Sequence, residues 1–169
     1  MLKYKLPQLP NALFEELGWD YFVSPEGNEY LADEVVEISV AEREAFYEAG
    51  NRLYARFVET AEHVLENNLL PTLGIPPNLY ELIEYTWADE RHLHLYGRFD
   101  LAGGTDGLPI KMLEFNADTP TSVPETAIIQ WGQLRANGIP EDRQFNFLYE
   151  ALVDNFKRLR ELNPGREAA

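Results

Sequence analysis

Two segments of alternating polar and apolar residues, separated by a glycine-rich stretch, constrain the fold of this chain more than any other feature. Their polar members carry guanidinium, carboxylate or amide groups and are Arg98, Asp100, Glu114, Asn116 and Asp118. Phe99 stands inside the first segment, and Phe115 stands inside the second. Because successive side chains of a β-strand point to opposite faces, each segment would bury its phenylalanine and present its polar groups together. The pattern predicts two strands, each with one polar and one apolar face.

The stretch between the two segments predicts that the strands form an antiparallel hairpin. Residues 102–109 read A-G-G-T-D-G-L-P, which is rich in turn-forming residues. The side chains of Asp100 and Glu114 would share a face only if even-numbered positions pair with even-numbered positions. A slip of one residue would place them on opposite faces.

A shared polar face would bring together a guanidinium, several carboxylates and an amide oxygen. This combination suits hard cations such as Mg²⁺ and the phosphates that they carry. A solvated strand face with surface ion pairs would show the same alternation, so the pattern alone leaves both interpretations open. The glycine-rich stretch lacks the G-x-x-x-x-G-K-[ST] order of a phosphate-binding loop and is therefore interpreted as a turn.

The two segments also resemble a known family. The run Y-G-R-F-D-L-A, from Tyr96, is followed by I-K-M-L-E-F-N-A-D-T-P-T-S-V-P-E-T-A-I-I-Q-W, from Ile110. Together they resemble the glutathionylspermidine synthase family, including its shorter relatives without an amidase domain. Trp87, the stretch after Ser122 and the closing segment 145–162 fit the N-terminal region of the same family. The resemblance implies that residues 1–169 form a single pre-ATP-grasp domain.

The resemblance implies ATP-dependent formation of an amide bond. In such a ligase, ATP phosphorylates the carboxylate of a peptide-like substrate, and an amine such as a polyamine then displaces the phosphate. Mg²⁺ neutralises charge on the phosphoryl group that is transferred. The implied requirements are therefore ATP as a co-substrate, Mg²⁺, and two small-molecule substrates.

The resemblance also implies three groups of site residues. The residues at the ATP phosphates would be Arg98, which is also the catalytic residue, Phe99 and Asp100. The magnesium ligands would be Asp100, Glu114 and Asn116. The substrate contacts would be Thr119, Thr121 and Ser122.

Two departures from the family pattern qualify these expectations. Glutathione-using synthases read S-A-S-C after Asn-Ala-Asp, whereas this chain reads T-P-T-S at 119–122, which leaves the acyl substrate open. Family members are also longer, and nothing after Leu162 resembles their ATP-grasp lysines or adenine pocket. The chain is therefore expected to be the front portion of a ligase and inactive alone. It would be either a truncated gene product or one half of a split enzyme, with a separately encoded ATP-grasp half as its partner in the second case. The alternative is a non-catalytic binding module, or a relic, that retains the metal and phosphate site.

Composition narrows the range of partners. The formal net charge of −15, from 29 acidic and 14 basic residues, argues against binding to nucleic acid or to anionic membranes. The charge is compatible with a cationic polyamine, although surface carboxylates chiefly confer solubility. The chain has no cysteine, which excludes disulfides and thiolate metal sites. With neither a signal-peptide run nor a window of transmembrane length, a cytoplasmic protein is expected.

Helices are predicted on both sides of the hairpin. Ser39 and Glu42 form a capping box at the start of a helix that extends to about Leu70. Ser122 and Glu125 predict a second capping box, and apolar periodicity predicts a closing helix over 145–162. Shorter helices are expected at 11–17 and at 78–85, the latter capped by Asn78, with extended pieces at 19–23 and 30–31.

These elements predict an α+β fold. It consists of a helical N-terminal half, an antiparallel β-hairpin that carries the site, and two C-terminal helices. The resemblance adds that this arrangement is the front portion of a pre-ATP-grasp/ATP-grasp ligase.

Overall fold

A computed structural model describes residues 2–5, 11–16, 18, 34–118 and 120–166. In chain order its elements are β1 (Leu2–Lys5), α1 (Asn11–Glu16), β2 (Glu34–Glu37), α2 (Val40–Glu66), α3 (Tyr80–Ala88), β3 (Arg98–Ala102), β4 (Lys111–Asn116), α4 (Gln130–Ala136) and α5 (Leu148–Leu162). Antiparallel pairs form between β1 and β2 and between β3 and β4. The predicted α+β class is confirmed. The extended pieces predicted at 19–23 and 30–31 lie outside the described residues.

The long helix α2 begins at the predicted capping box. The backbone N–H of Glu42 donates to Ser39 Oγ at 3.2 Å, and the backbone N–H of Ser39 donates to Glu42 Oε2 at 2.8 Å. The helix ends at Glu66 rather than near Leu70, because Asn68 adopts a left-handed backbone with φ of 55°. A 3₁₀ turn over Leu70–Leu73 follows.

The helix α3 begins later than predicted. Asn78 lies within a 3₁₀ turn over Pro77–Leu79, and α3 starts at Tyr80 without a side-chain cap. The predicted cap at Asn78 is therefore wrong. No helix in the described part of the chain is both long and apolar enough to cross a membrane.

The hairpin of β3 and β4 packs its apolar face against α2. The rings of Phe99 and Phe115 stack with centroids 4.3 Å apart. Phe57 of α2 lies 5.9 Å from the first ring and 4.8 Å from the second. Burial of these aromatic surfaces fixes which side of the hairpin faces the helix, as the alternation predicted.

The register of the hairpin pairs even-numbered positions with even-numbered positions. Arg98 lies opposite Asn116, and Asp100 lies opposite Glu114. The register then shifts, so that Leu101 pairs with Met112 and Leu113 becomes the extra residue of a β-bulge.

The turn of the hairpin is fixed to the start of α2. The backbone N–H of Asp106 donates to Glu42 Oε1 at 3.0 Å, so Glu42 binds both its own helix and the turn. Gly104 has φ of 83°, and a Cβ at this position would lie 2.4 Å from the ring of Phe46. The turn therefore requires glycine for two reasons, backbone conformation and space.

The segment after the hairpin forms a π-helix over Glu125–Ile129 and then continues as α4. The side-chain amides of Gln144 and Asn146 both donate to the carbonyl of Thr126, at 2.9 and 3.0 Å. Asn146 also accepts a hydrogen bond from the backbone N–H of Leu148, where α5 begins. The closing helix therefore starts at Leu148 and not at 145.

Candidate functional site

Arg98 and Asp100 lie two residues apart on β3 and share its polar face. Arg98 Nε donates to Asp100 Oδ1 at 2.8 Å, and Nη2 lies 3.4 Å from Oδ2. Their side chains are 30% and 37% exposed, so solvent reaches the pair. The hydrogen bond from Arg98 holds the pKa of the Asp100 carboxyl below its usual range, which keeps this group ionised at neutral pH.

The second strand contributes a carboxylate and an amide to the same face. Glu114 lies directly opposite Asp100, and Asn116 Nδ2 donates to Glu114 Oε1 at 2.9 Å. A contact with Glu114 also lowers the pKa of Asp100, by less than Arg98 does. The even-to-even register thus brings all four side chains together.

Arg98 also joins the hairpin to the loop that follows it. Its Nη1 donates to Thr121 Oγ1 at 2.8 Å and lies 3.4 Å from the Thr121 carbonyl oxygen. The guanidinium is therefore held from two directions by two segments of chain. We refer to Arg98, Asp100, Glu114, Asn116 and Thr121 as the polar cluster.

The donor set of the polar cluster suits a hard cation only in part. Two carboxylates and an amide supply oxygen ligands of the kind that Mg²⁺ prefers. Within the described residues, no three His, Cys, Asp or Glu side chains are grouped so that they could hold a metal ion. Arg98 already engages Asp100. The residues fit Mg²⁺ if water or the phosphates of a ligand complete its coordination.

Three of the predicted site residues, Ser122, Phe99 and Thr119, do not join the polar cluster through described side-chain contacts. Ser122 has φ of 72°, which is not the extended backbone of an N-cap residue, so the predicted capping box with Glu125 is wrong. The ring of Phe99 faces Phe115 and Phe57, away from the polar cluster. Any contact of Phe99 with phosphate would therefore have to come from its backbone. Thr119 lies outside the described residues.

Tyr96 belongs to this region, although the sequence analysis assigned it no role. Burial raises the pKa of its phenol, Arg98 opposes that shift, and Glu125 adds to it. The phenol is therefore within electrostatic reach of both groups. The signal was present in the sequence, since Tyr96, Arg98 and Asp100 occupy successive alternate positions.

Comparison with known proteins adds independent information. The family model described as glutathionylspermidine synthase preATP-grasp matches residues 2–168. A putative acid–amine ligase of Haemophilus influenzae is 34% identical over 149 residues, which covers 86% of this chain and 37% of the relative. Bifunctional glutathionylspermidine synthetase/amidases of Escherichia coli and Shigella flexneri are each 28% identical over 99 residues, covering 57% of this chain and 16% of theirs. The chain thus spans well under half the length of these relatives.

Proposed function

The chain belongs to the glutathionylspermidine synthase pre-ATP-grasp family, and we propose that it supplies the phosphate- and magnesium-binding face of an ATP-dependent acid–amine ligase. The observation that carries this proposal is the pairing of Arg98 with Asn116 and of Asp100 with Glu114, which puts four polar side chains on one face. In the proposal, residues 1–169 form a single domain. The ATP-grasp lysines and adenine pocket belong to a partner segment outside these residues, so the chain is inactive alone.

In this proposal Arg98 binds the ATP phosphates. A guanidinium presents several N–H donors in one plane, which matches two oxygens of a phosphate. Its present partner Asp100 is partly exposed, and a solvent-screened ion pair of this kind contributes little to stability. Phosphate oxygens can therefore replace Asp100 as the hydrogen-bond partner of the guanidinium. The Asp100 carboxylate is then available to bind a cation.

Asp100, Glu114 and Asn116 are the proposed magnesium ligands. When bound there, Mg²⁺ supplies positive charge that neutralises the phosphate oxygens. The ionised state of Asp100 at neutral pH supports this role, because a protonated carboxyl is a poor ligand. Few protein ligands leave Mg²⁺ largely hydrated, so we expect it to bind together with phosphates.

Thr119, Thr121 and Ser122 are proposed to contact the acid substrate. The position of Thr121 beside Arg98 supports this role, because an acid bound there would lie next to the phosphates. The acyl substrate and the amine are small molecules, and the net charge of −15 favours a cationic amine. The proposal includes a cytoplasmic location, where ATP is available to ligases.

Calorimetric titration with tripolyphosphate tests the phosphate and metal site without needing an adenine pocket. We expect binding on the order of millimolar that requires Mg²⁺. Arg98→Gln should weaken it by about tenfold or more, because it removes charge-assisted hydrogen bonds to phosphate.

Arg91→Gln is the matched control for this titration. Arg91 is also paired with an aspartate two residues away, with its Nε 2.9 Å from Asp89 Oδ1, but it lies outside the polar cluster. This variant should bind as the wild type does. Equal losses in both variants, or binding that does not need Mg²⁺, would contradict the proposal.

A turnover assay separates an incomplete ligase from a complete one. The purified chain, given ATP, Mg²⁺, glutathione and spermidine, should release no ADP above background. ADP release that Asp100→Ala abolishes would show that the chain catalyses the reaction unaided. The chain could instead bind Mg²⁺ and tripolyphosphate but show no turnover, even when it is combined with an ATP-grasp half. That result would favour the non-catalytic binding module.

A further inference from the structure

A groove lies between α2 and the turn end of the hairpin, on the side of the hairpin opposite the polar cluster. Its volume of about 450 Å³ falls within the range of small-molecule sites. Met112 lines it from β4, where the β-bulge at Leu113 turns this side chain toward α2. The groove is therefore distinct from the site proposed above, and the inference drawn from it does not depend on that proposal.

The walls of the groove are largely apolar and poorly covered. Leu53 of α2 faces Ile110 and Leu108 of the hairpin across it. Leu108 is 62% exposed and Met112 is 39% exposed. Covering such surface is favourable because it removes apolar area from water, so a ligand with an apolar body would be stabilised here.

Two arginines stand one helical turn apart on the α2 side of the groove. Arg56 pairs with Glu59 at 2.6 Å, and both side chains are mostly exposed, at 78% and 58%. Arg52 also lines the groove. It makes no hydrogen bond or ion pair with any residue that the structure describes.

Arg52 lies near carboxylates but pairs with none of them among the described residues. Acidic residues outnumber basic ones by 29 to 14, so carboxylate partners are abundant. Glu48 precedes Arg52 by four residues, which is the favoured order for an ion pair on a helix. No such pair forms among the described residues. The guanidinium is therefore available to a ligand, although Glu48 at the same groove would oppose an anion.

We propose that this groove binds a small monocarboxylate with an apolar body, such as an aromatic or short aliphatic acid. Arg52 binds the carboxylate through its planar set of N–H donors, and Arg56 adds positive charge. Leu53, Ile110 and Met112 cover the apolar body. A free phosphate would leave these walls uncovered, and a cation would be repelled by the two arginines.

Titration of the isotopically labelled 169-residue chain with benzoate, followed by amide chemical shifts, tests the proposal. Shifts should be largest at residues of the groove. Benzamide, which has the same ring without the charge, should bind about tenfold more weakly. Equal binding of benzoate and benzamide, or shifts confined to the polar cluster, would overturn the proposal.

Two variants should change benzoate binding in opposite directions. Arg52→Gln should weaken binding about tenfold, because it removes the charge-assisted hydrogen bonds. Glu48→Gln should strengthen it about threefold, because it removes a nearby negative charge. A purely structural role for Arg52 would not produce this pair of opposite effects.

Arg158→Gln is the matched control. Arg158 is an exposed arginine of α5 that lies outside the groove and makes no ion pair with any described residue. This variant should bind benzoate as the wild type does. If Arg52→Gln fails to fold, Arg52→Lys keeps the charge but loses the planar donors, and intermediate affinity is expected. Unchanged binding in Arg52→Gln or Arg52→Lys would overturn the proposal.

Discussion

The guanidinium of Arg98 joins side chains from two places in the chain. It donates to Asp100 on its own strand and to Thr121 in the following loop, while Glu114 faces Asp100 from the other strand. All of these contacts are partly open to solvent, where single ion pairs contribute little. The polar cluster is therefore ordered without the ligand but can exchange its partners when a ligand arrives.

Replacing Glu114 with glutamine should weaken magnesium binding and leave the fold intact. The substitution removes a charged oxygen ligand. It also relieves repulsion between two facing carboxylates when no cation is bound. We expect magnesium affinity on the order of millimolar for the wild type and a clear loss in Glu114→Gln, measured by calorimetry. A thermal melt of the variant should match or slightly exceed that of the wild type.

Two outcomes would contradict this expectation. Micromolar binding of Mg²⁺ without phosphate would indicate a preformed cage, which two carboxylates and an amide do not provide. Strong destabilisation by Glu114→Gln would show that this residue is structural.

Thr121 is predicted to position Arg98. Thr121→Val keeps the shape of the side chain but removes the oxygen that accepts from Nη1 at 2.8 Å. Net hydrogen bonds contribute about 0.5–1.5 kcal/mol, so tripolyphosphate binding should weaken about twofold to tenfold. Thr121→Ser retains the hydroxyl and should restore most of the affinity in the same titration. Equal losses in both variants would contradict this expectation, because they would show that retaining the hydroxyl does not preserve binding.

At this scale, the sequence predicts which side chains share a face but not the backbone of every residue. Period-two alternation predicted that Arg98 shares a face with Asp100 and that Glu114 shares a face with Asn116. The register that brings the two pairs together was left open by the sequence. The left-handed backbone of Ser122 was not predictable, because its sequence context satisfied a capping box equally well. That conformation depends on how the loop meets the hairpin, which is a tertiary effect.

Among the elements, α2 and the hairpin turn are joined by Glu42. Its pKa lies below the ordinary value of 4.5, chiefly because the Ser39 backbone N–H donates to it, with added donation from the Ser39 hydroxyl and the Asp106 backbone. The ionised carboxylate therefore binds the turn more strongly than the neutral acid would. The contribution of Glu42 to the free energy of unfolding is complete above pH 4.5 and is lost as the pH falls through the lowered pKa.

The variant Glu42→Gln should remove this part of the acid sensitivity. Urea unfolding between neutral pH and pH 3 should show a smaller loss of stability for Glu42→Gln than for the wild type. Glu62→Gln on the same helix is the control, because Glu62 makes no hydrogen bond within the described part of the chain, and it should keep the wild-type slope. An unchanged slope in Glu42→Gln would show that the contact with the turn is not maintained in solution.

Two glycines of the turn should differ in their tolerance of alanine. Gly104 and Gly107 both have positive φ, of 83° and 75°. A Cβ at Gly104 meets Phe46, whereas one at Gly107 has open space. Gly107→Ala should therefore cost about 1–2 kcal/mol for backbone strain. Gly104→Ala should cost about 1–3 kcal/mol more for overpacking. Equal costs in urea unfolding would mean that Phe46 moves aside freely.

The elements themselves were predictable where local signals were strong. The capping box located the start of α2, and the glycine-rich turn located the hairpin. The π-helix was not predictable, because the carbonyl of Thr126 is satisfied by side chains about twenty residues later in the chain. The pairing of β1 with β2 was also missed, since each strand has only four residues and the two lie far apart in the sequence.

Many large apolar side chains in the described part of the chain are exposed to solvent. The buried apolar residues in the described part of the chain are few: Phe14, Ala49, Leu70, Ala127 and Ile129. Large side chains such as Tyr47 and Phe147 are 70% and 77% exposed. Apolar surface of this extent favours association.

The purified chain should therefore self-associate as its concentration rises. Light scattering after size exclusion should show a mass above 19.4 kDa at high concentration, together with enhanced fluorescence of a hydrophobic dye. Phe147→Asn should reduce both signals without loss of stability, because this ring is already exposed. A constant monomer mass with no dye binding would show that the exposed apolar side chains do not drive association.

The fold class was predictable at this largest scale, and the packing between elements was predictable in part. Alternation in the hairpin predicted that Phe99 and Phe115 lie on its apolar face, and in the structure Phe57 of α2 contacts both rings. The groove beside this core was not predicted. It depends on the bulge, and the bulge breaks the alternation on which the prediction relied.

The bulge at Leu113 also has a consequence for the gene. Loss of one codon inside a strand ordinarily turns every side chain beyond it to the opposite face. Loss of the Leu113 codon would instead leave a regular ladder, with Met112 directly before Glu114 and each on its present side. Coding sequences that differ in length by this one codon would therefore still encode the same arrangement of polar groups.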